Sequence, residues 1–402
     1  MSSHLTTTPD VGMSLVEVLA LAGTIAVVGT QAMMMSPLLT DVAGALGVSP
    51  AAVGGSVAVY GVTTGLASLG LAPWADRLPR GLTLCTAMAV FALGALVCAL
   101  APHILALSAG QALCGIGAGL ALPASYAVVG DRSAWERRGR AMARVLAGWA
   151  AALILGVPLT AACGEVFGWR ASFAALAALA FALAPPLYRT AGGVAPQRAI
   201  EAPRVHHALA SLLASPTVRA GLASNLLMMA GFYGVYAYVG DHTRALTGGA
   251  STLAGLLVLA YGGGFLISNL SGPLFDRFEK PRLYLWSLIA LAGVYLALFG
   301  AAQQALWLCL LMLPLGVAQS AALTLQTTVM TEAAGRFRGM AMALNSAVTY
   351  LGFTLGTGGL GLIYEALGYA AVTRVSVALL LLAAALASLS LRPARLSFKS
   401  CS

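Results

Sequence analysis

The sequence predicts an all-α membrane protein, with twelve transmembrane helices arranged as two pseudo-symmetric bundles of six. Three observations carry that reading. The chain of 402 residues is 59% hydrophobic and only 9% charged, whereas a soluble domain carries roughly a quarter charged residues. Its apolar runs are about 20 residues long, which suits helices crossing a hydrocarbon core about 30 Å thick. The chain also repeats itself. Ala72-Pro-Trp-Ala-Asp76-Arg77-Leu-Pro79-Arg80-Gly81 returns as Gly272-Pro-Leu-Phe-Asp276-Arg277-Phe-Glu279-Lys280, an offset of 200 residues from Asp76 to Asp276. The same offset relates Arg138-Gly-Arg-Ala-Met-Ala143 to Arg338-Gly-Met-Ala-Met-Ala343, Gly156 to Gly356 and Gly168 to Gly368.

In chain order the spans fall at 13–35, 51–72, 82–101, 104–130, 140–163 and 171–188, then at 219–239, 252–274, 283–302, 305–330, 340–363 and 371–391. They are rich in Ala, Leu and Gly, and small residues let membrane helices approach closely where packing rather than water exclusion holds them. Residues 1–188 thus form one bundle, 189–218 a polar linker, and 219–402 the second bundle with a short tail. The linker holds Pro196, Pro203, Pro216 and His206-His207, and its segment His207-Ala-Leu-Ala-Ser-Leu-Leu predicts a short helix lying on the membrane surface. The loops on the other face are short, Ser36 to Pro50 being the longest in the first half. Residues 1–12 lack the basic start of a signal peptide, and the apolar stretch after them is too long for one, so it is expected to stay as the first span.

Of the 22 Lys and Arg, all but Arg170, Arg244 and Arg374 fall on one face of these spans. The positive-inside rule puts that face, both termini and the Asp76 and Asp276 turns in the cytoplasm. This implies a multi-pass protein of a bacterial-type cytoplasmic (inner) membrane, with the lipid bilayer as its surroundings. The net charge of +9 then reports topology, and no nucleic-acid partner is expected. The six cysteines show no paired short spacing, so neither a disulfide framework nor a metal site is expected. Gly115-Ile-Gly117-Ala-Gly119 lies inside a span with no strand before it, so it is no dinucleotide fingerprint. No cofactor and no enzymatic chemistry are anticipated.

The stretch Leu155-Gly156-Val-Pro158-Leu-Thr-Ala-Ala-Cys-Gly164-Glu-Val-Phe-Gly168-Trp169-Arg170-Ala-Ser-Phe173 resembles the fifth-helix antiporter motif of the major facilitator superfamily, followed by the Gly-Trp-Arg-x-x-Phe start of helix six. The turn after helix two resembles that family's G-x-x-x-D-R-x-G-R loop, with Ala72 and Pro79 replacing its glycines and Asp76, Arg77 and Arg80 retained. Over nearly its whole length the chain is similar to the twelve-span drug–proton antiporter branch, which includes sugar- and arabinose-efflux permeases. The resemblance implies the major facilitator fold and a monomeric secondary active transporter. Such a protein exports a small-molecule substrate by alternating access, with the proton as coupling ion. Parallel repeats suit this, since two similar bundles can rock about a shared interface.

The resemblance also implies a cytoplasmic gate. Asp76 would face the positive N-terminal end of helix eleven and Arg80 would pair with Asp131, while Asp276, Arg277 and Glu332 serve the second half. Contacts that form only with the cytoplasmic side closed would bias the outward-open state. In the helix-five motif Pro158 removes a backbone hydrogen bond, and Gly156 and Gly164 open a groove for a facing helix. One position departs from the pattern. Gln111 stands where the family carries a helix-four arginine linked to proton coupling, and a neutral amide cannot tune a carboxylate as a fixed cation does. A proton-driven exporter and an uncoupled facilitator or uptake carrier therefore both stay open, with a non-transporting receptor as the reading from another class.

Polar side chains within spans are expensive and mark candidate sites. Glu17, Thr24 and Gln31 form one stripe on helix one, and Glu17, near the cytoplasmic mouth, is the candidate proton carrier. Its alternative is an interfacial carboxylate reaching water. Asn225, Met229, Phe232 and Tyr236 share a stripe of helix seven with Tyr233 alongside; Gln319 and Gln326 lie seven apart on helix ten; Asn345 and Thr349 lie on helix eleven. Gln31, Gln111, Asn225, Tyr233, Tyr236, Gln319 and Asn345 are the candidate substrate-cavity residues. Met33-Met34-Met35 and Met228-Met229 raise a soft metal such as Cu(I) as cargo. Consecutive methionines on a helix point apart, so gap-filling is the better reading.

Overall fold

The computed structural model describes residues 13–71, 77–133, 135–191, 205–248, 251–271, 275 and 277–390. Among these residues eleven helices are long and apolar enough to cross a membrane, and the apolar segment Ala254–Leu270 of a twelfth completes two sets of six. Helix one is Leu15–Met33, helix two Pro50–Gly70, helix three Arg80–Ala99 and helix four Ile104–Arg132. Helix five runs as Trp135–Ala151, a π turn Ala152–Gly156 and Val157–Phe167, and helix six is Trp169–Ala191. A short helix, Val205–Ala214, precedes helix seven, Pro216–Thr247. Helix eight is Ser251–Leu270, helix nine Lys280–Gly300 and helix ten Ala305–Ala334. Helix eleven runs as Arg338–Thr354, a π turn Leu355–Gly359 and Leu360–Leu367, and helix twelve is Tyr369–Ser390. The Arg80 and Lys280 turns lie at one end of the bundle, the basic end, and Gly47 and Gly248 at the far end.

The expected loop from Ser36 to Pro50 is largely helical. Helix one pauses at Met34 and resumes as Met35–Leu46. Pro37 explains the pause, because it has no N–H for the Met33 carbonyl and its ring crowds that oxygen. Helix seven has Ala237 at the matching position and runs unbroken to Thr247. Both rods end on a glycine in the left-handed region, Gly47 (φ 64°) and Gly248 (φ 60°), a conformation that side chains disfavour. Helix five carries a π turn just before Pro158, and helix eleven carries one three residues further along the repeat, with Gly358 where Pro158 stands in the first half.

Packing follows the repeat. Helix one lies on five as seven lies on eleven, two on four as eight on ten, and three on six as nine on twelve. The halves meet along two equivalent seams, helix two against eleven and helix five against eight. Glycine sets both. A Cβ on Gly61 would stand 2.5 Å from the Phe353 ring and 3.2 Å from the Tyr350 carbonyl, and one on Gly262 would stand 2.8 Å from Leu153 Cβ. Backbones therefore touch where bulkier residues would hold them apart.

Gly61→Ala should lower thermal stability by about 1–3 kcal/mol through overpacking. Gly293→Ala, whose new Cβ meets nothing within 4 Å, should leave it unchanged or raise it. Thermal unfolding of both purified variants in one detergent checks this, and equal melting points would argue against a seam held by backbone contact.

Candidate functional site

On the first half, the Gln31 Nε2 amide donates to Gln111 Oε1 at 2.9 Å, tying helix one to helix four. Both glutamines are buried. Thr24 turns back to the Ala20 carbonyl at 2.9 Å. Glu17 is only 4% exposed, and its Oε1 lies 3.4 Å from Arg132 Nε at the basic end of helix four. The carboxylate thus faces a guanidinium rather than water.

On the second half, Asn225 Nδ2 donates to Asn345 Oδ1 at 3.1 Å and to Thr349 Oγ1 at 2.9 Å. Gln326 and Asn345 exchange amide hydrogen bonds of 2.7 and 3.1 Å. These residues join helices seven, ten and eleven to one another. Gln319 Nε2 approaches Met229 Sδ at 3.9 Å. Tyr233 and Tyr236 belong to an aromatic block. Phe232 stacks against Tyr261 of helix eight at 5.4 Å, and Tyr233 meets Phe353 of helix eleven edge-on at 4.4 Å. Phe353 also meets Tyr60 of helix two at 5.8 Å, across the seam. A cavity of about 20 Å³ lies between the halves, lined in part by Met33, Met35, Ser36, Tyr233, Tyr236 and Thr357. That is room for a water molecule and no more. The Oε1 atoms of Gln31 and Gln319, Asn225 Oδ1 and the hydroxyls of Tyr60 and Tyr236 are buried without a hydrogen-bond partner.

At the far end the halves are bolted together. Arg244 of helix seven grips Asp41 with two hydrogen bonds of 2.8 Å. The Thr40 hydroxyl donates to Asp241 Oδ1 at 2.6 Å, and the Tyr364 hydroxyl donates to Asp241 Oδ2 at 2.5 Å. Ser36 Oγ donates to the Tyr236 carbonyl at 2.6 Å. Beyond this bolt a recess of about 510 Å³ is lined by Ser49, His242, Tyr364, Glu365 and Tyr369 among others. Sequence reasoning missed Asp41 and Asp241 because it ended helix seven at 239 and read 36–50 as loop. The 200-residue offset between the two aspartates was the available clue.

At the basic end Asp76 and Asp276 lie outside the described residues, and Arg77 and Arg277 are exposed. Arg80 Nε pairs with Asp131 at 3.2 Å. In the copy Glu332 pairs with Lys280, the residue at the offset from Arg80, at 3.1 Å. Both pairs lie within their own half. In helix five a Cβ on Gly156 would fall 2.0 Å from Thr30 Oγ1 and one on Gly164 would fall 2.4 Å from Leu38, so the groove seats helix one and its continuation. Pro158 instead faces Gly255 of helix eight across the seam, 3.6 Å from the position of a Cβ there.

A twelve-helix duplicated bundle with amides and aromatics buried around its middle defines a polytopic membrane carrier. The sequence profile described as Major Facilitator Superfamily matches residues 21–268 and 222–400. The chain belongs to that superfamily and is a multi-pass integral membrane transporter. It is 33% identical over 376 residues to the MFS-type transporter YwfA of Bacillus subtilis, covering 90% of each chain. It is 30% identical over 249 residues to a chloramphenicol efflux pump of Mycobacterium tuberculosis, covering 60% of this chain and 58% of the pump. Its fold matches a bacterial homologue of the human lysosomal transporter Spinster, solved in an inward-facing, unoccupied conformation. The TM-score is 0.73 at 16% identity, over 94% of this chain and 98% of that one.

The amide cluster should show coupling of about 1 kcal/mol between Asn225 and Asn345, in the range of measured membrane hydrogen bonds. A double-mutant cycle of Asn225→Ala and Asn345→Ala, read by unfolding, measures it; strict additivity would mean that the two side chains do not act together.

Proposed function

We propose that the protein exports an uncharged, amphipathic small organic molecule by alternating access, exchanging it for protons. The observation that carries this is the pairing of a charge-free core, rich in amides and aromatics, with a polar bolt at one end only. Most Lys and Arg lie at the basic end, which supports a cytoplasmic placement of that end, and of both termini, in an inner membrane. The bolt of Asp41, Arg244, Asp241, Thr40 and Tyr364 is then the outer gate, closed in this conformation. The Arg80–Asp131 and Lys280–Glu332 pairs are then parts of the inner gate. The efflux activity named for the mycobacterial relative supports the outward direction.

The core also bears on the substrate. Buried charge would demand a counter-charge in the guest, whereas neutral amide oxygens and tyrosine hydroxyls lacking partners favour a guest that brings its own hydrogen-bond donors. The aromatic rings favour a flat apolar part. The two halves must separate to admit any such molecule, because the present cavity of about 20 Å³ is too small for it. Glu17 is the proton carrier in this reading. Arg132, 3.4 Å from its carboxylate, is the helix-four cation beside it in place of an arginine at Gln111. The neutral Gln31–Gln111 pair favours the second reading, uncoupled facilitation.

Proteoliposomes loaded with a pH-sensitive dye, with chloramphenicol as the first probe, separate the two. Coupled exchange predicts substrate-driven proton flux that Glu17→Gln abolishes; transport indifferent to an imposed pH gradient supports the facilitator instead. The outer gate makes a second expectation. Arg244→Asp should raise labelling of a cysteine placed at Met33, in the cavity beneath the gate, by an impermeant thiol reagent, and adding Asp41→Arg should restore protection. Unchanged labelling in the single variant would remove this pair from the gate.

A further inference from the structure

Helix five begins with four arginines, and they do two different things. Arg138 turns inward and its Nη2 donates to the Gly130 carbonyl at 2.6 Å; the repeat keeps it, as Arg338. Arg137, Arg140 and Arg144 follow one another at i, i+3 and i+7, on one face of the helix, and all three are exposed. The repeat does not keep these. At the matching places stand Phe337, Met340 and Leu344. In the second half this apolar stripe is covered, for Phe337, Met340, Leu344 and Val348 pack against a cluster that includes Leu212 of the helix Val205–Ala214. In the first half the equivalent face, among the described residues, is charged and exposed. Further along the same side of helix five, Leu155 and Leu159 are 59% and 65% exposed, which in a membrane protein means that they meet acyl chains. The arginines therefore stand where hydrocarbon gives way to water, at the basic end.

We propose that Arg140 and Arg144, with Arg137 beside them, form a binding surface for the phosphate of an anionic phospholipid. Guanidinium forks match phosphate oxygens two at a time, and the aliphatic stems of the arginines lie comfortably along the acyl boundary. Like charges one turn apart repel, and an anion held between Arg140 and Arg144 relieves that repulsion. A zwitterionic headgroup carries its own ammonium and relieves it less. Continuity with Leu155 and Leu159 selects a lipid over a soluble anion, since the acyl chains then run down the leucine face.

The full chain, reconstituted in phosphatidylcholine bilayers, is probed with spin-labelled phosphatidylglycerol or spin-labelled phosphatidylcholine, and the motionally restricted fraction of each is measured. Wild type should prefer phosphatidylglycerol, and each arginine removed should weaken that preference by about five-fold. Arg140→Gln with Arg144→Gln should lose the preference while its thermal unfolding in phosphatidylcholine stays at the wild-type value. Arg140→Lys with Arg144→Lys should retain part of it, and added salt should erode it in wild type. An unchanged preference in the glutamine pair, or none in wild type, overturns the proposal. So does equal stabilisation of the detergent-solubilised protein by inorganic phosphate, which would make the site a simple anion binder.

Discussion

The halves of this transporter touch through backbone. At both seams, helix two on eleven and helix five on eight, glycines such as Gly61 and Gly262 remove the side chains that would otherwise interlock. In a bilayer no water is expelled when helices meet, so the contact rests on close packing and a few hydrogen bonds. At the helix-five seam Gly262 meets only the Cβ and backbone of Leu153. At the helix-two seam the Phe353 ring sits on Gly61 and against Tyr60, so sliding there has to carry that ring along. Directional bonds are concentrated instead at the far end, where Arg244 holds Asp41 and Thr40 reaches Asp241. The Asp41 side chain remains 31% exposed, so water is at hand when the pair separates and the full penalty of an unpaired buried charge does not arise.

The core follows a different economy. Gln31 with Gln111, and Asn225 with Asn345 and Gln326, are neutral partners that satisfy much of one another's hydrogen bonding. Amides cost less to hold in hydrocarbon than ions do, and each bond contributes well under about 2 kcal/mol. The ionic chemistry has been displaced to the ends of the bundle. Glu17 meets Arg132 at one end and Asp41 meets Arg244 at the other. Gln111, standing where the resemblance implies an arginine, belongs to this arrangement: the cation of helix four sits near its basic end.

Much of the frame was legible because backbone devices repeat with the sequence: the π turns of helices five and eleven, and the turn glycines Gly168 and Gly368 at φ 84° and 76°. The helical continuation after Met34 was not legible, since Ser36 and Pro37 carry loop propensity and its hold on helix seven is tertiary. The stripe argument named Asn225, Asn345 and Gln326, but a stripe says which face a residue occupies and not what stands opposite. These three meet one another, whereas Tyr233 and Tyr236 reach the space between the halves. The bolt was hidden for a related reason. Asp41 repeats as Asp241, yet its partner is Arg244, whose own counterpart is Gly44, so the pair joins positions that the duplication does not relate.

That mismatch points to how a copied frame acquires direction. The seams, π turns and turn glycines occur twice, but a parallel repeat exchanges the halves and maps each membrane face onto itself, so it makes the halves alike and leaves the two faces distinct. Apart from Asp41 and its copy Asp241, the polar residues named above mostly occur once: Gln31 faces a copy with Gly231, Gln111 one with Leu311, Asn225 one with Ile25, and Arg244 one with Gly44. For the proposed alternation, two end states must lie close in energy, or one of them would never be visited. Near such a balance a single hydrogen bond of about 1 kcal/mol shifts the populations about five-fold. The frame therefore need not encode which way the carrier works. In the proposed reading a handful of unduplicated side chains, rather than the duplicated frame, sets where the guest binds and which end is held shut.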